Sequence, residues 1–528
     1  MPKRTLGAEL SHALKARGVD TIFGIPGVHN VEMYRGIEEA GIRHILTRHE
    51  QGAGFMADGY ARATGKPGVA YIITGPGLTN IMTPMGQAQS DSVPILVVSS
   101  CLPPDSQIPG QLHQMKDQTG AAATVADWSV LAADADAAYA AIDRAFTEFT
   151  TQRKRAKHLT VPIDILGETA AAAPDFTLAT LGHKPDPDEI DDLAQRLTSA
   201  KRPLFLFGGG AVTASEAARR VVRAAGAASF TSYAGRGVID PDDPLHYGAY
   251  LARPDSAAIF AKADLVVAVG TEIAQVDLWR DHLGHTGTMV RVDIDEAVLH
   301  DNHNADVRIH ADAARALAML ADVLKPQPAK WDAAEITRAR ARFHAQADAE
   351  RPGIVPLALA MQAACPPETM YYSDMTQFAY TAKEVCSMDR PGHWHHPFGF
   401  GTLGYALPAA IGGKIGRPDL PVVAIAGDYG FQYTVQELGV AAELNLTLPI
   451  ILWDNGKLKE IEDCMVASQI APNAVVAQNP DFGLLSAAYG IAYTRPASIA
   501  AFQDDLRAAL TADGPTIIHI TPEVSSSS

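Results

Sequence analysis

The part of the chain that most constrains its fold lies at residues 422–461. These residues read as a buried strand, a Gly-Asp turn, a helix, a second buried strand and an Asp-Asn-Gly turn. Asp428 follows the first strand closely, and Asn455 follows the second. The carboxyl ends of parallel strands meet at one edge of a sheet, where ligands bind, so we expect these two side chains to lie side by side.

The side chains at this edge predict a magnesium site. Asp428 offers a carboxylate, Asn455 offers an amide carbonyl, and the turn after Asn455 can add a backbone carbonyl. A few hard oxygen ligands with room for phosphate oxygens are what Mg²⁺ prefers. The turn at Gly427 also opens a helix, whose free N–H groups attract a phosphate. The residues alone therefore indicate a Mg²⁺–diphosphate site.

Composition excludes several classes of protein. A chain of 528 residues is too long for one core, so two to four domains are expected. The net charge of −17 argues against nucleic acid or an anionic membrane surface as a partner. No apolar run approaches the roughly 20 residues of a membrane span. The four cysteines have no CxxC spacing, which is typical of reduced thiols in a cytoplasmic protein.

Alternating strand and helix patterns divide the chain into three units of the α/β class. We expect three doubly wound domains with mainly parallel sheets, over residues 1–168, 189–325 and 350–528. The segment 170–187 reads as a Pro- and Ala-rich linker. In the central unit, Gly-Gly-Gly-Ala after a strand does not match GxGxxG, so a structural role is favoured over dinucleotide binding.

Several motifs occur in an order that resembles one enzyme family. They are FGIPG at 23–27, RHEQGAGFMADGYARATG at 48–65, TGPGLTN at 74–80, GFGTLGYALPAAIGGKIGRPD at 399–419, and the GDYGF-to-DN segment. With them the chain resembles the thiamine diphosphate (ThDP) enzymes, which include acetolactate synthases and pyruvate decarboxylases. The resemblance covers almost the whole chain. It implies a pyrimidine-binding domain, a central domain and a diphosphate-binding domain.

The resemblance also implies a ligand set for the metal. Asp428, Asn455 and the backbone carbonyl of Lys457 match the family's Mg²⁺ ligands. Tyr429 stands where the family usually has Gly, and Asp454 stands where it usually has Asn. Neither departure falls on an expected side-chain ligand, so metal binding is still expected.

Glu50 matches the family's carboxylate that hydrogen-bonds the pyrimidine ring of the cofactor. A carboxylic group there drives the aminopyrimidine toward its imino tautomer, which serves as an internal base. Leu403 matches the bulky residue that bends the cofactor. The full set of implied cofactor contacts is Pro26, Glu50, Gly75, Met375, Gln377, Phe378, Leu403, Gly427, Asp428, Tyr429 and Asn455.

Two loops of the first domain are expected to face the substrate. His29 and Asn30 follow the Gly-Pro turn, and His113 and Gln114 lie in a loop that reaches the neighbouring active site in the family. A histidine in such a pocket can transfer protons near neutral pH. We therefore expect His29, His113 and Gln114 to take part in catalysis and Asn30 to bind substrate, although a structural role for each histidine remains open.

The helix after the metal turn indicates the substrate. Glu460 and Asp463 are three positions apart, on one helix face. Two carboxylates there suit a cationic substrate tail, and a guanidinium would pair with them bidentately. This segment and residues 24–42 also resemble 5-guanidino-2-oxopentanoate (2-ketoarginine) decarboxylases. The alternative, a solvated charged face, stays open at this point.

Flavin is not expected. Flavin-bearing acetolactate synthases have an Arg-containing stretch where this chain has residues 272–277, Glu-Ile-Ala-Gln-Val-Asp. Since the first and third domains of the family usually meet across a subunit interface, the resemblance implies a homodimer or homotetramer.

The function expected from the sequence is ThDP- and Mg²⁺-dependent decarboxylation of a basic 2-oxo acid to an aldehyde and CO₂. In this family ThDP adds to the carbonyl of a 2-oxo acid and accepts the electrons released with CO₂. The alternatives are an acetolactate synthase-like carboligase, a related ThDP lyase, and a non-catalytic cofactor-binding protein.

Overall fold

The computed structural model describes residues 4–106, 108–178, 182–476 and 478–526. It contains three α/β domains whose main sheets are parallel, so the predicted fold class is confirmed. Within the described residues, no helix is both long enough and apolar enough to cross a lipid bilayer.

The first domain is a parallel sheet covered on both faces. Its strands are β1 (Arg4–Thr5), β2 (Thr21–Gly24), β3 (Arg43–Leu46), β4 (Gly68–Ile72), β5 (Ile95–Cys101), β6 (Trp128–Leu131), β7 (Lys157–Pro162) and β8 (Thr169–Ala170). Its helices are α1 (Leu6–Ala16), α2 (Val31–Tyr34), α3 (Glu50–Thr64), α4 (Pro76–Asp91), α5 (Gln118–Ala123), α6 (Ala135–Thr151) and α7 (Ile163–Leu166). The sheet order is β3-β2-β4-β5-β7-β6, and β1 pairs with β8 in a separate antiparallel ribbon. Ile95 and Leu96 lie in two different hydrophobic cores, as expected for a doubly wound sheet.

The central domain has a parallel sheet in the order β10-β9-β11-β12-β13. These strands are β9 (Pro203–Phe207), β10 (Ala228–Thr231), β11 (Leu265–Val269), β12 (Thr288–Asp293) and β13 (Val307–His310). The helices are α8 (Pro187–Ser199), α9 (Ser215–Ala225), α10 (Ser256–Phe260), α11 (Gln275–Leu278), α12 (Glu296–Leu299), α13 (Ala313–Val323) and the long connecting helix α14 (Ala333–Glu350), with a 3₁₀ turn at Gly209–Ala214.

The third domain repeats the same plan. Its strands are β14 (Met370–Ser373), β15 (Trp394–His395), β16 (Val422–Gly427), β17 (Leu448–Trp453), β18 (Ala492–Thr494) and β19 (Pro515–Ile520). Its helices are α15 (Ile354–Ala364), α16 (Gln377–Val385), α17 (Ala406–Gly416), α18 (Asp428–Phe431), α19 (Leu438–Glu443), α20 (Lys459–Ala467), α21 (Phe482–Tyr489), α22 (Ile499–Ala509) and α23 (Glu523–Ser526), with a 3₁₀ turn at Val435–Glu437. All strand pairs in the order β15-β14-β16-β17-β19-β18 are parallel.

The segment between β16 and β17 differs from the single helix that its pattern predicts. The structure has α18, a 3₁₀ turn and α19 in its place. Thr434 donates a hydrogen bond to the carbonyl of Gly404 (2.8 Å), and the carboxylate of Glu437 accepts from the amide of Arg48. These long-range contacts hold the backbone in short pieces, so tertiary structure overrides the helical pattern here.

Helices α3 and α17 join the first and third domains into one hydrophobic core. This core contains Phe23 and Phe55 from the first domain together with Leu407 and Ile450 from the third. The two helices approach closely because glycines face the opposite backbone. A Cβ at Gly59 would lie 1.9 Å from the carbonyl oxygen of Ala409, and one at Gly412 would lie equally close to that of Met56.

Substituting Gly59 with Ala should therefore lower thermal stability. The added methyl group must separate α3 from α17, and such overpacking costs about 1–3 kcal/mol. The measurement is the melting temperature by circular dichroism. Gly167→Ala is the matched control, because a Cβ there would meet its nearest neighbour at 3.7 Å, an ordinary contact distance. Equal melting temperatures for the two variants would contradict the close approach.

Candidate active site

Three adjacent strands deliver polar residues to one edge of the third domain. Asp374 follows β14, Asp428 follows β16, and Asp454 follows β17. In the ladder Gly427 pairs with Trp453, which places Asp428 beside Asp454. Asn455 is the residue that follows Asp454 in the chain. The strand ends therefore lie side by side at the edge where open parallel sheets bind ligands.

Asn479 holds two of these carboxylates together. Its Nδ2 donates to Oδ2 of Asp428 (2.7 Å) and to Oδ1 of Asp454 (2.9 Å). Gln432 donates to Oδ1 of Asn479 (3.1 Å) and so fixes the orientation of that amide. Burial raises the pKa of Asp428, and the charge of Asp454 raises it further. A carboxylate pair of this kind is electrostatically suited to a cation.

Asn455 and Lys457 form a tight turn beyond β17. Gly456 adopts φ 70°, and the amide of Lys457 donates to Oδ1 of Asn455 (3.2 Å). Nδ2 of Asn455 donates to Oε1 of Gln377 (3.2 Å). The ammonium of Lys457 pairs with Glu462 at 2.9 Å, so this side chain is engaged away from a phosphate role.

The predicted diphosphate contacts lie around the start of α16. The N-cap Thr376 makes no side-chain cap bond, while the amide of Met375 donates to its neighbour Asp374 (2.8 Å). Phe378 is buried, and its ring packs against Trp453. The predicted Gly427 and Tyr429 flank Asp428, and Tyr429 contacts the ring of Tyr433.

Leu403 lies over the turn that carries Asp428. A Cβ at Gly430 would lie 2.8 Å from Oδ2 of Asp374 and 3.3 Å from Cδ2 of Leu403, so the glycine leaves room for both side chains. Leu403 is half-buried, as a residue that contacts a ligand on one side would be.

Glu50 is the first residue of α3 and is buried. Its Oε2 accepts a hydrogen bond from Nδ2 of Asn80 (2.9 Å) at the start of α4. Its Oε1 faces Gly77, where a Cβ would lie 3.5 Å away. Asn80, within the TGPGLTN motif, thus orients Glu50 and leaves one carboxylate oxygen without a described hydrogen bond in the part of the chain that the structure covers.

Glu437 lies directly beneath this helix start. Its side chain is fully buried and accepts from the amide of Arg48 at 3.1 and 3.2 Å. A Cβ at Gly52 would lie 2.3 Å from its Oε1, so only glycine admits the carboxylate here. Burial raises the pKa of Glu437 to about 7. Sequence reasoning missed this residue, because it lay inside a predicted helix with no motif of its own.

His29 and His113 meet, although they are far apart in sequence. Their Nδ1 atoms are 3.3 Å apart, and the rings contact edge to face. Burial and then the charge of His113 lower the pKa of His29. Since one ring nitrogen must donate and the other accept, the pair holds at most one shared proton at this contact.

The neighbouring predicted residues are engaged in loop structure. Asn30 is fully buried; it accepts from the amide of Gly27 (2.6 Å) and donates to the carbonyl of Ile25 (3.2 Å). Gln114 is exposed and accepts from the amide of Gly110 (3.1 Å). The predicted Pro26 is exposed on the same turn as Asn30.

The backbone of Gly75 is held between Gln118 and the loop of His113. It adopts φ 68°, its amide donates to Oε1 of Gln118 (3.0 Å), and a Cβ would lie 2.5 Å from the carbonyl oxygen of His113. Gln118, which no motif indicates, therefore fixes the predicted cofactor turn beside the loop of His113, which is the predicted substrate-facing loop.

Glu460 and Asp463 each already have a cationic partner. Glu460 accepts from Nε of Arg351 (2.9 Å), and Asp463 pairs with Lys459. Substrate binding by these carboxylates stays a prediction, and it requires a substrate cation to displace Arg351 or Lys459. In the segment 272–277 considered for flavin, Asp277 accepts from the amide of Tyr233 (3.1 Å).

Comparison with known proteins identifies the family. Three sequence profiles match: "Thiamine pyrophosphate enzyme, N-terminal TPP binding domain" at residues 4–121, "Thiamine pyrophosphate enzyme, central domain" at 190–320, and "Thiamine pyrophosphate enzyme, C-terminal TPP binding domain" at 374–520. The chain belongs to the thiamine pyrophosphate enzyme family. The resemblance inferred from the motifs is therefore confirmed.

Relatives with named functions fall into two groups. A "Probable 2-ketoarginine decarboxylase" of Pseudomonas aeruginosa is 43% identical over 98% of this chain and 94% of its own length. An "Acetolactate synthase isozyme 2 large subunit" of Escherichia coli is 29% identical over 97% of this chain and 94% of its own. An "Acetolactate synthase" of Mycobacterium avium is 30% identical over 93% of this chain and 83% of its own.

The buried Glu437 should make stability depend on pH. In the folded state its carboxyl keeps a proton up to about pH 7, whereas an unfolded chain releases it near the ordinary value of 4.5. Because the folded state binds the extra proton, the stability that Glu437 contributes is lost as the pH rises through this window. Glutamine cannot ionise, so the melting temperature of Glu437→Gln relative to the wild type should rise between about pH 5 and about pH 8.

The control for this measurement is Glu443→Gln, which removes an exposed carboxylate nearby that pairs with Arg48. A difference between Glu437→Gln and the wild type that does not change with pH would contradict the assignment.

Proposed function

We propose that this enzyme decarboxylates a 2-oxo acid with a guanidino side chain, using ThDP and Mg²⁺, to give the aldehyde and CO₂. The observation that carries the proposal is the 43% identity, over 98% of the chain, to a protein named as a probable 2-ketoarginine decarboxylase. The strand-end site and the buried Glu50 supply the machinery that such a reaction needs.

The donors at the strand ends fit Mg²⁺. Among the described residues, no group of three or more His, Cys, Asp or Glu side chains could hold a metal ion. A site made of one carboxylate, one amide oxygen and one backbone carbonyl leaves coordination positions for phosphate oxygens, as Mg²⁺ requires. Asp428, Asn455 and the carbonyl of Lys457 would hold the ion. Burial disfavours the charged form of Asp428, and a bound cation would stabilise that charge.

When bound, the cofactor supplies the carbon nucleophile and the electron sink for decarboxylation. Glu50 would hold a proton at its Oε1 toward the pyrimidine ring, while Asn80 fixes the other oxygen. Leu403 would support the bent cofactor from the side of Gly430. The amides that begin α16, near Gln377 and Phe378, would bind the diphosphate together with the turn at Gly427.

The paired His29 and His113 would move protons at the substrate side. With its pKa lowered, His29 is neutral near physiological pH and can accept a proton, while the contact with His113 offers a path for it. Gln114 lies in the same loop and would contribute to the same side of the pocket. Asn30 would act through the turn that carries His29, because its own amide is bonded to that turn.

A cavity of about 560 Å³ beside His29 supports a cationic substrate. Its lining includes the carboxylates of Asp105 and Asp164, and that of Glu32, which is already paired with Arg35 (2.6 Å). Asp463, at the exposed edge of α20, would offer a further carboxylate at the other predicted substrate-facing element once the substrate displaces Lys459. This charge distribution favours a guanidinium over an apolar tail.

Self-association and a cytoplasmic location belong to the same proposal. Exposed apolar side chains lie near both halves of the site, with Val28 and Leu46 in the first domain and Ile461 and Val466 on α20. A homodimer or homotetramer that places Glu50 of one subunit against the strand ends of another would cover them. Exposed apolar surface of this kind is typical of interfaces.

The second candidate function is an acetolactate synthase-like carboligase. It is favoured by the relatives of about 30% identity that carry that name. Flavin remains unexpected in either case.

A panel of 2-oxo acids tests the reaction. The protein with ThDP and Mg²⁺ should release CO₂ and an aldehyde from 5-guanidino-2-oxopentanoate, with a kcat/KM at least about tenfold above that for pyruvate, since a desolvated charge pair is worth more than about 1.4 kcal/mol. Omitting ThDP is the control. Acyloin formed from pyruvate, with no aldehyde from the guanidino acid, would support the carboligase instead.

A second test addresses Glu50. Glu50→Gln should slow exchange of the C2 proton of bound ThDP by about 10²-fold or more, because the amide cannot hold the proton that drives the imino tautomer. Proton exchange followed by NMR measures this directly. Glu38→Gln, an exposed carboxylate in the same domain, serves as the control. An unchanged exchange rate in Glu50→Gln would refute the role.

A further inference from the structure

The orientation of the Asn455 amide decides whether it can bind a cation. Only its Oδ1 can be a ligand, since Nδ2 carries hydrogens. In the structure Nδ2 donates to Oε1 of Gln377 (3.2 Å), and Oδ1 accepts from the backbone amide of Lys457 (3.2 Å). Both contacts favour the same orientation, in which Oδ1 points away from Gln377. Reversing the amide would place Oδ1 against the oxygen of Gln377 and bring two acceptors together.

Gln377 is itself held in one direction. Its Nε2 donates to Oε1 of Glu460 (2.9 Å). An ionised carboxylate only accepts hydrogen bonds, so Gln377 must turn its nitrogen toward Glu460 and its oxygen toward Asn455. The direction of one amide thus sets the direction of the next.

Arg351 fixes the far end of this chain. Its Nε and one NH₂ group donate to the two oxygens of Glu460, at 2.9 and 3.2 Å, in a bidentate pair. Arg351 also pairs with Glu350 (2.9 Å), and its guanidinium lies over the ring of Tyr380. The Arg351 side chain is only 12% exposed, so this anchor is built into the domain.

We propose that Arg351, Glu460 and Gln377 form a directional hydrogen-bond relay that positions Oδ1 of Asn455 for the metal ion. In this relay Glu460 is a positioning residue, and it does not act as a free acceptor for the substrate. The inference rests on the proposed Mg²⁺–ThDP site and assigns residues that support it from behind. Partners that orient metal ligands commonly change metal affinity by 10- to 100-fold when they are replaced.

Asp463 provides the matched control. It lies on the same face of α20, one turn from Glu460, and it pairs with Lys459. It has no described contact with Gln377 or Asn455 within the residues that the structure covers. Asp463→Asn therefore removes a carboxylate from the helix without touching the relay.

The test is the affinity for Mn²⁺, a paramagnetic substitute for Mg²⁺, measured by EPR on the full-length protein with saturating ThDP and no substrate. Glu460→Gln should raise the dissociation constant of Mn²⁺ by about tenfold or more. The new amide can present its nitrogen to Gln377, so the amides of Gln377 and Asn455 would no longer be held in one orientation. Asp463→Asn should leave it within about twofold. At saturating Mg²⁺ and ThDP, the KM of Glu460→Gln for the guanidino acid should stay within about twofold of the wild type.

Gln377→Ala adds a coupling test. It should lose as much Mn²⁺ affinity as Glu460→Gln, and the double variant should lose little more than Gln377→Ala alone, because residues in one network are not additive. Melting temperatures without metal show that each variant is folded.

Two results would overturn the inference in different ways. An unchanged Mn²⁺ affinity in Glu460→Gln, with a KM raised only for cationic substrates, would remove the relay and return Glu460 to substrate binding. Absence of Mn²⁺ binding in the wild type with ThDP would instead overturn the proposed site on which the relay depends.

Discussion

The close packing of α3 against α17 is the contact on which the rest of the structure depends. It is possible only because glycines on each helix face the backbone of the other. Through it, the helix that begins with Glu50 and the sheet that ends in Asp428 and Asn455 belong to one hydrophobic core. Within one chain, the first and third domains therefore form a single rigid frame, even though about 380 residues separate Glu50 from Asp428. In the proposed homodimer, this frame would present Glu50 to one active site and the strand ends to the other.

The elements around the site were predictable where the signal is local. An apolar run followed by a turn residue indicates a buried strand and the polar group at its end, and that pattern correctly predicts β16 and β17. The division into three α/β domains was likewise predictable, because strand and helix patterns alternate along the chain.

What was not predictable depends on long-range contacts. His29 and His113 are separated by 84 positions, and Arg48 and Glu437 by 389. No spacing in the sequence indicates that such residues meet. Asn479 and Arg351 were missed for the same reason, since each lies in a loop or at a helix end without a motif. The pairing of Arg351 with Glu460 joins residues 109 positions apart, and no spacing in the sequence indicates it.

The electrostatics of the cofactor edge follow from burial. Asp374 accepts from the amides of Met375 and Gly404, and burial raises its pKa to about 6. Asp428 and Asp454 share the amide of Asn479. Neutral amides satisfy Asp374 and Asp428 as hydrogen-bond acceptors without cancelling their charge, whereas Asp454 also contacts Nε2 of His519 (2.9 Å). Under the proposed function, this charge would repel a bare diphosphate, and a divalent cation would offset the repulsion.

The shared core also has a consequence for how the protein is made. A ribosome completes the first domain, with the small-residue face of α3 exposed, long before α17 is synthesised. That face has no partner until more than 300 further residues have emerged, which makes it a hydrophobic surface open to wrong contacts in the nascent chain. The face of α3 is therefore buried only after the last third of the polypeptide has been synthesised. Chains truncated before α17 should be prone to aggregate.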